Sequence, residues 1–391
     1  MNKQQRRYKT IDGKLLPVLT VADPDGAETA SRELEGSALL PGCMAESAFL
    51  ANACLQNANL NSSNLTAAYL VKSDLTNADL RNAVLKNADL RGANLEGARL
   101  DGADFKNADL TGASFGGIHA CGTDFTNAIL RDTKFDGFNN AQDRITTLYG
   151  TIFCDADLSN ARFDNPDICG LNCNGAKLSH VKLNVSNWSE ELIDFRNADL
   201  SHAELTGPIS GDFRNANLSH ATLSGLNYGR FENTDLSFAW CDGCNFENSR
   251  DFVNCCFKNT SFRDARMGHQ EFRGCSFDNT CFDGGFFKDM GFSNHDLSGC
   301  SFAGADVWCS RFDSCNLTNT TFKDAYISGA SFVNAILTNA SFQNAWLTHE
   351  GMQWVQENKD KAFPDDFDLE ESGIVEHPKE WCEQNWKWWN K

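Results

Sequence analysis

Residues 75–110 read LTNADLRNAVLKNADLRGANLEGARLDGADFKNADL, and this stretch determines the fold. Every fifth position from Leu75 to Leu110 holds Leu or Phe, and the residue two places before each of them is Ala or Ser. Asp or Asn often stands between the two, and Asn or Gly follows two places after the large residue. We call the large residue of each repeat its centre. A period of five fits neither an α-helix, with 3.6 residues per turn, nor a strand, with two.

The repeat extends over most of the 391-residue chain, but its frame shifts five times. Centres run from Leu50 to Phe135, with Ala120 as the one small residue, and from Phe252 to Leu347 without exception. The steps that break the period are Phe135 to Phe153, Trp188 to Phe195, Leu205 to Phe213, Leu223 to Phe231 and Phe246 to Phe252. Each step is predicted to insert one to three residues. Such insertions either leave the repeat as loops, which often carry function, or are drift that neighbouring faces tolerate.

Stacked coils explain a period of five. If the chain turns a corner after every five residues, each face directs one large and one small side chain inward. Coils stacked about 4.8 Å apart pair their backbone groups, as neighbouring strands do in a sheet. The inward Leu and Phe side chains then form continuous columns that fill a narrow core. Gly and Asn suit the corners because they tolerate turn conformations.

The pattern A-(D/N)-(L/F)-x-x, which recurs over about residues 40–347, resembles that of the pentapeptide repeat family. The resemblance implies an all-β solenoid, a right-handed quadrilateral β-helix with four repeats per coil. The 56 centres that we count between residues 50 and 347 then give about 14 coils. The predicted core ladder is represented by Leu80, Leu90, Leu100, Phe262, Phe282, Phe302, Phe322 and Phe342.

A β-helix has two open ends that need covering, because unpaired backbone groups invite aggregation. Residues 1–38 are not repeats, and we assign them to an N-terminal cap or tail. The segment TIDGKLLPVLTVADPDG reads as short strands with Asp-Gly turns that pair with the first coil, while residues 1–9 are predicted to be loose. Residues 39–347 form the β-helix, with irregular inserts near 137–151 and 186–252.

Residues 348–391 form a helical C-terminal cap or interface. Thr348 is predicted to cap a helix over 349–361 with Met352, Val355 and Lys359 near one face, and Pro364 ends it. A second helix is predicted from near Pro378 to about Asn390. The segment FPDDFDLEESGI between them resembles a tail that follows pentapeptide repeats in cyanobacterial proteins.

Five of the nine tryptophans follow residue 350, and they are Trp354, Trp381, Trp386, Trp388 and Trp389. They either plug the last coil or form a candidate interface with a partner or a second copy of the chain. So many tryptophans exceed what one narrow coil end can bury. Several gyrase-binding members of the family dimerise through a C-terminal helical module, so the resemblance also implies a possible homodimer through this segment.

The cysteines and histidines follow the repeat rather than forming a reactive cluster. Cys241 and Cys244 make one CxxC, but the register explains it, because Cys244 takes the small inward position that Ala usually holds. Cys255 and Cys275 are one coil of four repeats apart and should stack, and we expect a pair of free thiols there, with a disulfide as the alternative. His180, His202 and His220 all follow Leu-Ser at an outward corner, where a solvated side chain is expected and a surface metal contact is the alternative.

No motif for phosphate binding, zinc hydrolysis or nucleophilic catalysis occurs in the sequence. We therefore predict no catalytic residue, no cofactor, no metal site and no enzymatic activity. The net charge of −19 argues against direct binding of nucleic acid, which needs a basic surface. No apolar run is long enough to span a membrane, and the start lacks the apolar stretch of a secretory signal, so we expect a cytoplasmic location.

These features favour a non-catalytic protein-interaction scaffold on a rigid acidic β-helical rod of bacterial type, with a protein partner of unknown identity. The resemblance also implies an alternative, because some family members mimic DNA, bind DNA gyrase and protect it from toxins or quinolones. A further alternative is a bacterial secreted effector. A mimic needs a continuous acidic face, yet residues 51–135 hold eight basic and nine acidic residues and are nearly neutral.

Overall fold

The computed structural model describes residues 9–10, 41–136, 145–186, 191–226 and 228–377. The chain divides into two compact units, unit 1 (Met1–Ser210) and unit 2 (Gly211–Lys391). Because most faces contribute a single bridging residue, regular strands and helices are short and few. The strands are β1 Lys9–Thr10, β2 Cys43–Met44, β3 Arg162–Asp164, β4 Lys182–Asn184, β5 Ile193–Asp194, β6 Glu204–Thr206, β7 Ser210–Asp212, β8 Thr222–Ser224, β9 Tyr228–Arg230, β10 Phe252–Val253, β11 Arg266–Gly268, β12 Phe272–Arg273, β13 Phe286–Lys288, β14 Trp346–Thr348 and β15 Val375–His377. The helices are α1 His349–Glu357 and α2 Lys359–Ala362.

In both units the chain forms stacked coils whose backbones run parallel to one another. In unit 1 the residue Met44 bridges Asn64, and in unit 2 the residue Ser261 bridges Cys281. Both steps equal four repeats, and the same step recurs along the regular parts of both units. The prediction of a β-solenoid with four repeats per coil is therefore confirmed.

The repeat that begins at Leu80 shows why five residues make one face. The amide of Leu80 donates to the carbonyl of Arg99 on the next coil at 2.8 Å, and the amide of Asn82 donates to Asp101 at 3.0 Å. The amide of Ala83 closes the corner on the carbonyl of Leu80 at 3.0 Å. Asn82 has a φ of +55°, in the left-handed region where Asn and Gly are favoured. The corner thus favours Asn or Gly two places after the centre.

The Asp or Asn before each centre has a local task at the same corner. The Asp79 carboxylate accepts a hydrogen bond from the amide of Arg81 at 3.2 Å, and the Asp109 carboxylate accepts one from the amide of Thr111 at 3.0 Å. These amides have no carbonyl acceptor on the next described coil, so the side chain replaces one.

The small inward position accepts Thr and Cys as well as Ala because their polar atoms find a partner on the preceding coil. The thiol of Cys300 donates to the carbonyl of Phe277 at 3.0 Å, and the hydroxyl of Thr280 lies 2.7 Å from the carbonyl of Phe257. Both side chains are buried. A hydroxyl or thiol in this position therefore satisfies its hydrogen-bonding potential without leaving the core.

The first frame shift is larger than the sequence predicts. His119 bridges Thr147, whereas four regular repeats would bring it opposite position 139, so this coil is eight residues longer than a regular one. Leu148 is fully buried and acts as a centre that fixed counting from Phe135 misses. The expectation of one to three inserted residues is therefore wrong here. Residues 137–144, which make up most of the predicted insert, lie outside the described residues.

The later frame shifts both lengthen and shorten coils. The step from Lys177 to Asp199 in unit 1 is two residues longer than four repeats, and the step from Asn217 to Asp235 in unit 2 is two residues shorter. The prediction that every shift inserts residues is wrong for the second case. Leu226, which is 2% exposed, supplies the face that a direct count from Leu223 to Phe231 omits. The step of eight residues is therefore one face of three residues followed by one of the regular five.

The N-terminal segment contributes β1, which pairs antiparallel with β2 of the first coil. Thr10 lies opposite Cys43 and Lys9 opposite Met44. Lys9 is thus part of a ladder rather than loose, contrary to the expectation for residues 1–9. The rest of the predicted N-terminal cap, residues 1–8 and 11–38, lies outside the described residues.

At the C-terminal end, Thr348 caps α1, and its hydroxyl accepts a hydrogen bond from the amide of Gly351 at 3.1 Å. Met352 and Val355 bury their side chains, whereas Lys359 belongs to α2. The single helix predicted over 349–361 is therefore two helices, because Asn358 leaves the helical conformation with φ −133° and ψ 42°. The second predicted helix lies in residues 378–391, outside the described residues.

The chain then returns to cover the last coil. Strand β15 pairs parallel with β14, with Val375 opposite Trp346. The ring of Phe363 stacks on Phe332 at 5.1 Å, and Phe367 stacks on Phe363 at 4.3 Å. These rings continue the inner aromatic column beyond the last repeat. Phenylalanines from the acidic tail therefore cover the described end of the core.

Candidate interaction surfaces

The eight residues of the predicted core ladder all lie inside their units. Leu80, Leu90 and Leu100 are fully buried in unit 1, and each of the five phenylalanines in unit 2 is at most 2% exposed. Their rings stack one coil apart, with centroids 4.6 Å apart for Phe282 and Phe302 and 5.0 Å apart for Phe302 and Phe322. These side chains hold the coils together and present no surface to a partner.

The cysteines of the described residues are free thiols, and the buried ones are poor nucleophiles. Burial raises the pKa of Cys244 to about 12 and raises that of Cys241 well above its usual range. Cys255 and Cys275 stack as expected, and the hydrogen bond between them, together with burial, raises the pKa of Cys255. Because the thiolate is the reactive form, Cys241, Cys244 and Cys255 are suited to packing rather than to chemistry, whereas the hydrogen bond with Cys255 lowers the pKa of Cys275.

Several acidic side chains along unit 1 are paired with cations. Arg81 forms two hydrogen bonds to Asp79, at 2.8 and 2.5 Å, and these hydrogen bonds hold the pKa of Asp79 below its usual value. Lys106 reaches Asp124 at 2.8 Å. Exposed pairs of this kind contribute little stability, but they cancel charge along the outer faces.

The histidines and carboxylates do not converge on a metal site among the described residues, where no cluster of three or more such ligands occurs. His180 and His202 stack at outer corners of unit 1 with ring centroids 4.8 Å apart. His220, at a corner of unit 2, stacks on Phe238 at the same distance. Within the part of the chain that the structure describes, no helix is long and apolar enough to cross a membrane.

The five C-terminal tryptophans of the predicted interface are only partly covered by the structure. Trp354 lies on α1 with 43% of its surface exposed, whereas Met352 and Val355 of the same helix are buried. Trp381, Trp386, Trp388 and Trp389 lie outside the described residues. The described part therefore places one tryptophan of this group at the surface.

A different surface of unit 2 carries aromatic residues at positions that are polar elsewhere. The centres Phe287, Val307, Ile327 and Leu347 succeed one another on one face, one coil apart. The residues immediately before or after these centres point outward. We define the aromatic face as Phe286, Lys288, Trp308, Tyr326 and Trp346.

One end of the aromatic face is covered and the other is open. Tyr326 and Trp346 stack with ring centroids 4.2 Å apart, are 3% exposed, and pack against Val375 of β15. Trp308 is 39% exposed and Phe286 is half-buried. The C-terminal segment thus shields two of the aromatic residues and leaves the other two accessible.

A lysine orders the open end of the aromatic face. The ammonium group of Lys288 lies 4.4 Å from the ring centroid of Phe286 and 5.4 Å from that of Trp308. Both distances lie within the range of a cation–π interaction. One cation therefore bridges two aromatic rings that lie on adjacent coils.

Sequence reasoning missed this surface because it followed the inward positions only. Aromatic residues directly next to a centre are the signal that would have found it, since the outer neighbours of a centre are mostly Asp, Asn, Ser, Thr, Lys or Arg. Phe286, Trp308, Tyr326 and Trp346 all break that rule. A separate reading of the outward positions would therefore have predicted the aromatic face.

Comparison with solved structures finds similarity to pentapeptide repeat proteins. One solved structure that matches is HetL, a pentapeptide repeat protein involved in heterocyst differentiation regulation from the cyanobacterium Nostoc sp. strain PCC 7120. It is 22% identical, over 72% of this chain and 88% of HetL, with a TM-score of 0.14. A trypsin-treated form of QnrB1, a plasmid-mediated fluoroquinolone resistance protein, is 20% identical over 56% of this chain and 91% of its own, with a TM-score of 0.24. Both scores are too low to relate the function of either protein to this chain.

No curated protein matches this sequence. The family model described as pentapeptide repeats matches it in eight copies. The matched residues include 46–82, 68–107, 78–117, 103–139, 148–184, 292–319 and 315–349. Most of these residues form the regular coils described above, with one centre every five positions. The chain belongs to the pentapeptide repeat family.

Proposed function

We propose that this chain is a non-catalytic protein-interaction scaffold and that the open end of the aromatic face is a binding surface. The observation that carries the proposal is the partly exposed pair Phe286 and Trp308, which lie on adjacent coils with the Lys288 ammonium group within cation–π distance of both rings. Aromatic residues are enriched at the centres of protein interfaces, where they supply much of the binding energy. The partner is a protein of unknown identity.

The backbone beneath this surface favours binding because it is already ordered. The amide of Phe286 donates to the carbonyl of Ala265 at 2.7 Å, and the amide of Phe287 donates to that of Asp306 at 2.7 Å. The coils below and above therefore hold the aromatic residues in place before a partner arrives. Such preorganisation lowers the entropy that association costs.

Replacing Phe286 and Trp308 together by Ser should weaken partner binding at least about tenfold, because hot-spot aromatics contribute about 2 kcal/mol or more each. The matched control is Trp240→Ser, which removes a tryptophan that is 60% exposed next to another centre of unit 2. Binding is measured by affinity capture from the native host with quantitative mass spectrometry, followed by titration of the captured protein. Unchanged binding by the double variant, or equal loss in the control, would contradict the proposal.

The DNA-mimic alternative has weaker support than the scaffold. A mimic needs a continuous row of unpaired acidic groups, whereas five of the described carboxylates of unit 1 pair with Arg or Lys and interrupt such a row, namely Asp79, Asp89, Asp104, Asp124 and Asp157. A gyrase supercoiling assay with the full chain tests this alternative directly. Homodimerisation through the C-terminal helical segment 348–391, a cytoplasmic location and a secreted-effector role stay hypotheses beside the main proposal.

A further inference from the structure

A concave site in unit 2 gathers positive charge, although the chain as a whole carries −19. A cavity of about 400 Å³ is lined by the four arginines Arg214, Arg230, Arg250 and Arg273. Two carboxylates, from Glu232 and Asp251, line it as well. With Asp212, which pairs with Arg214 beside the cavity, four cations face three anions, and the remaining positive charge would stabilise an added anion.

The register of the coils explains why the arginines meet. Phe213, Phe231, Phe252 and Phe272 are successive centres of one face, and their rings stack at 5.3, 5.2 and 5.3 Å. Arg214 follows the first of these centres, Arg230 precedes the second and Arg273 follows the fourth. Residues that are far apart in the sequence thus share one outer face of four consecutive coils.

Coils of unequal length lie next to one another at this site. The step from Asn217 to Asp235 is two residues shorter than four repeats, whereas the next step, from Asp235 to Cys256, is one residue longer. A coil two residues shorter than four repeats thus lies next to one that is one residue longer. Arg250 sits in the longer coil, at the corner that holds the extra residue between Phe246 and Phe252. The Arg250 side chain is exposed and lines the cavity.

Two of the four arginines are already engaged by carboxylates. Arg214 makes two hydrogen bonds to Asp212, at 2.8 and 2.6 Å, and Arg273 reaches Asp251 at 3.0 Å. Asp212 is only 7% exposed, so this pair is firmly placed. These two arginines shape the site, and their charges are largely compensated.

The other two arginines lack such close compensation. The nearest carboxylate oxygen to Arg230 belongs to Asp212 and lies 3.9 Å away, and no described carboxylate lies within 4.0 Å of Arg250. Both guanidinium groups hydrogen-bond to the phenol of Tyr228. The Nε atom of Arg230 is buried and has no hydrogen-bond partner among the described residues. A buried donor without an acceptor is costly, so an incoming acceptor at this place is favoured.

We propose that this cavity binds a small organic phosphate, with Arg230 and Arg250 holding the phosphoryl group. Arg230 and Arg250, whose charges are weakly compensated, can balance the two negative charges of a phosphomonoester. A guanidinium group can also donate two parallel hydrogen bonds to a pair of phosphate oxygens. The volume exceeds what bare phosphate needs and lies within the range of small-molecule sites, about 300–1,000 Å³. Phe231 and Val253 add an apolar wall for the organic part of the ligand.

Calorimetric titration of the full chain with AMP, glucose 6-phosphate and inorganic phosphate tests the proposal, with adenosine and glucose as neutral controls. We expect saturable binding of at least one organic phosphate at one site per chain, with a Kd below about 1 mM, and at least about tenfold weaker binding of inorganic phosphate and the neutral compounds. Added salt should weaken the binding, because screening reduces charge–charge attraction. No saturable binding by either organic phosphate would overturn the proposal.

The double variant Arg230→Gln with Arg250→Gln should lose at least about tenfold in affinity, whereas the control Arg81→Gln, on unit 1, should bind as the natural chain does. If the double variant fails to fold, the single variant Arg250→Gln serves in its place, since it changes an exposed residue. Equal affinity in the variants and the natural chain would contradict the assignment. Tighter binding of a duplex oligonucleotide than of AMP would also contradict it, since that result assigns the cavity to nucleic acid.

Discussion

Replacing Phe322 by Asp should prevent unit 2 from folding. The ring of Phe322 stacks between Phe302 and Phe342, with both centroids 5.0 Å away, and it also meets Phe312 and Phe332 edge-on at 5.3 Å. The substitution removes these contacts, which alone are worth about 3–5 kcal/mol, and places an unpaired carboxylate in the core. The combined loss is comparable with the whole stability of an ordinary domain, about 5–15 kcal/mol.

Thr338→Asp provides the matched control, since it adds the same carboxylate at an exposed corner. We expect the control to change the free energy of unfolding by no more than about 0.5 kcal/mol. Thermal unfolding followed by circular dichroism, together with protease resistance, distinguishes the two variants. A melting temperature of Phe322→Asp equal to that of the natural chain would refute the assignment of Phe322 to the core.

Substituting Gly207 by Ala should be nearly as damaging to unit 1. Gly207 has a φ of +92°, and a Cβ atom there would lie 1.7 Å from the carbonyl oxygen of Val185. That carbonyl cannot move away easily, because the amide of Val185 donates to Thr206 at 2.9 Å and holds the coil in register. We expect a loss of about 3 kcal/mol or more in the free energy of unfolding, from steric clash and backbone strain together.

Gly112→Ala is the control that separates the cost of backbone strain from the cost of steric clash. Gly112 has a φ of +69°, and nothing among the described residues lies within 4 Å of its added Cβ atom. The control therefore retains the cost of the left-handed conformation alone, about 1–2 kcal/mol. Chemical denaturation of both variants measures the difference. Equal destabilisation by the two substitutions would mean that Gly207 does not approach Val185 as described.

The inner surface was predictable from the sequence because one rule governs it. Each centre occupies the same place in a repeat, so Leu80 or Phe302 could be assigned to the core from its position alone. The rule fails where the coil length changes. Leu148 and Leu226 are buried centres, yet counting in fives passes over both, since the coils there are longer or shorter than four repeats. The lengths of those coils can be read only from the backbone pairing between neighbouring coils.

The outer surface was less predictable because it depends on which coils lie side by side. The arginines of the cavity are far apart in sequence, and irregular coils bring Arg214, Arg230 and Arg273 onto one face. The aromatic face lies in regular coils, so the positions of Phe286 and Trp308 were readable in principle. The C-terminal tryptophans were chosen for their number rather than their register, and of these five Trp354 alone falls within the described residues.

The central claim is that five-residue repeats set the backbone pairing, and amide hydrogen exchange resolved by residue tests it most directly. In the regular coils of unit 1, four of the five amides of each repeat donate to backbone carbonyls, as Leu70, Lys72, Ser73 and Asp74 do. The amide after the centre depends on an Asp or Asn side chain instead, and for Val71 and Lys86 no acceptor is present among the described residues.

We therefore predict protection with a period of five along residues 50–135. The amides of Val71 and Lys86 should exchange at least about a hundredfold faster than those of the centres Leu70 and Leu85, since amides without acceptors open locally at little cost. Uniform protection, or protection that alternates every second residue as in an ordinary sheet, would contradict the account.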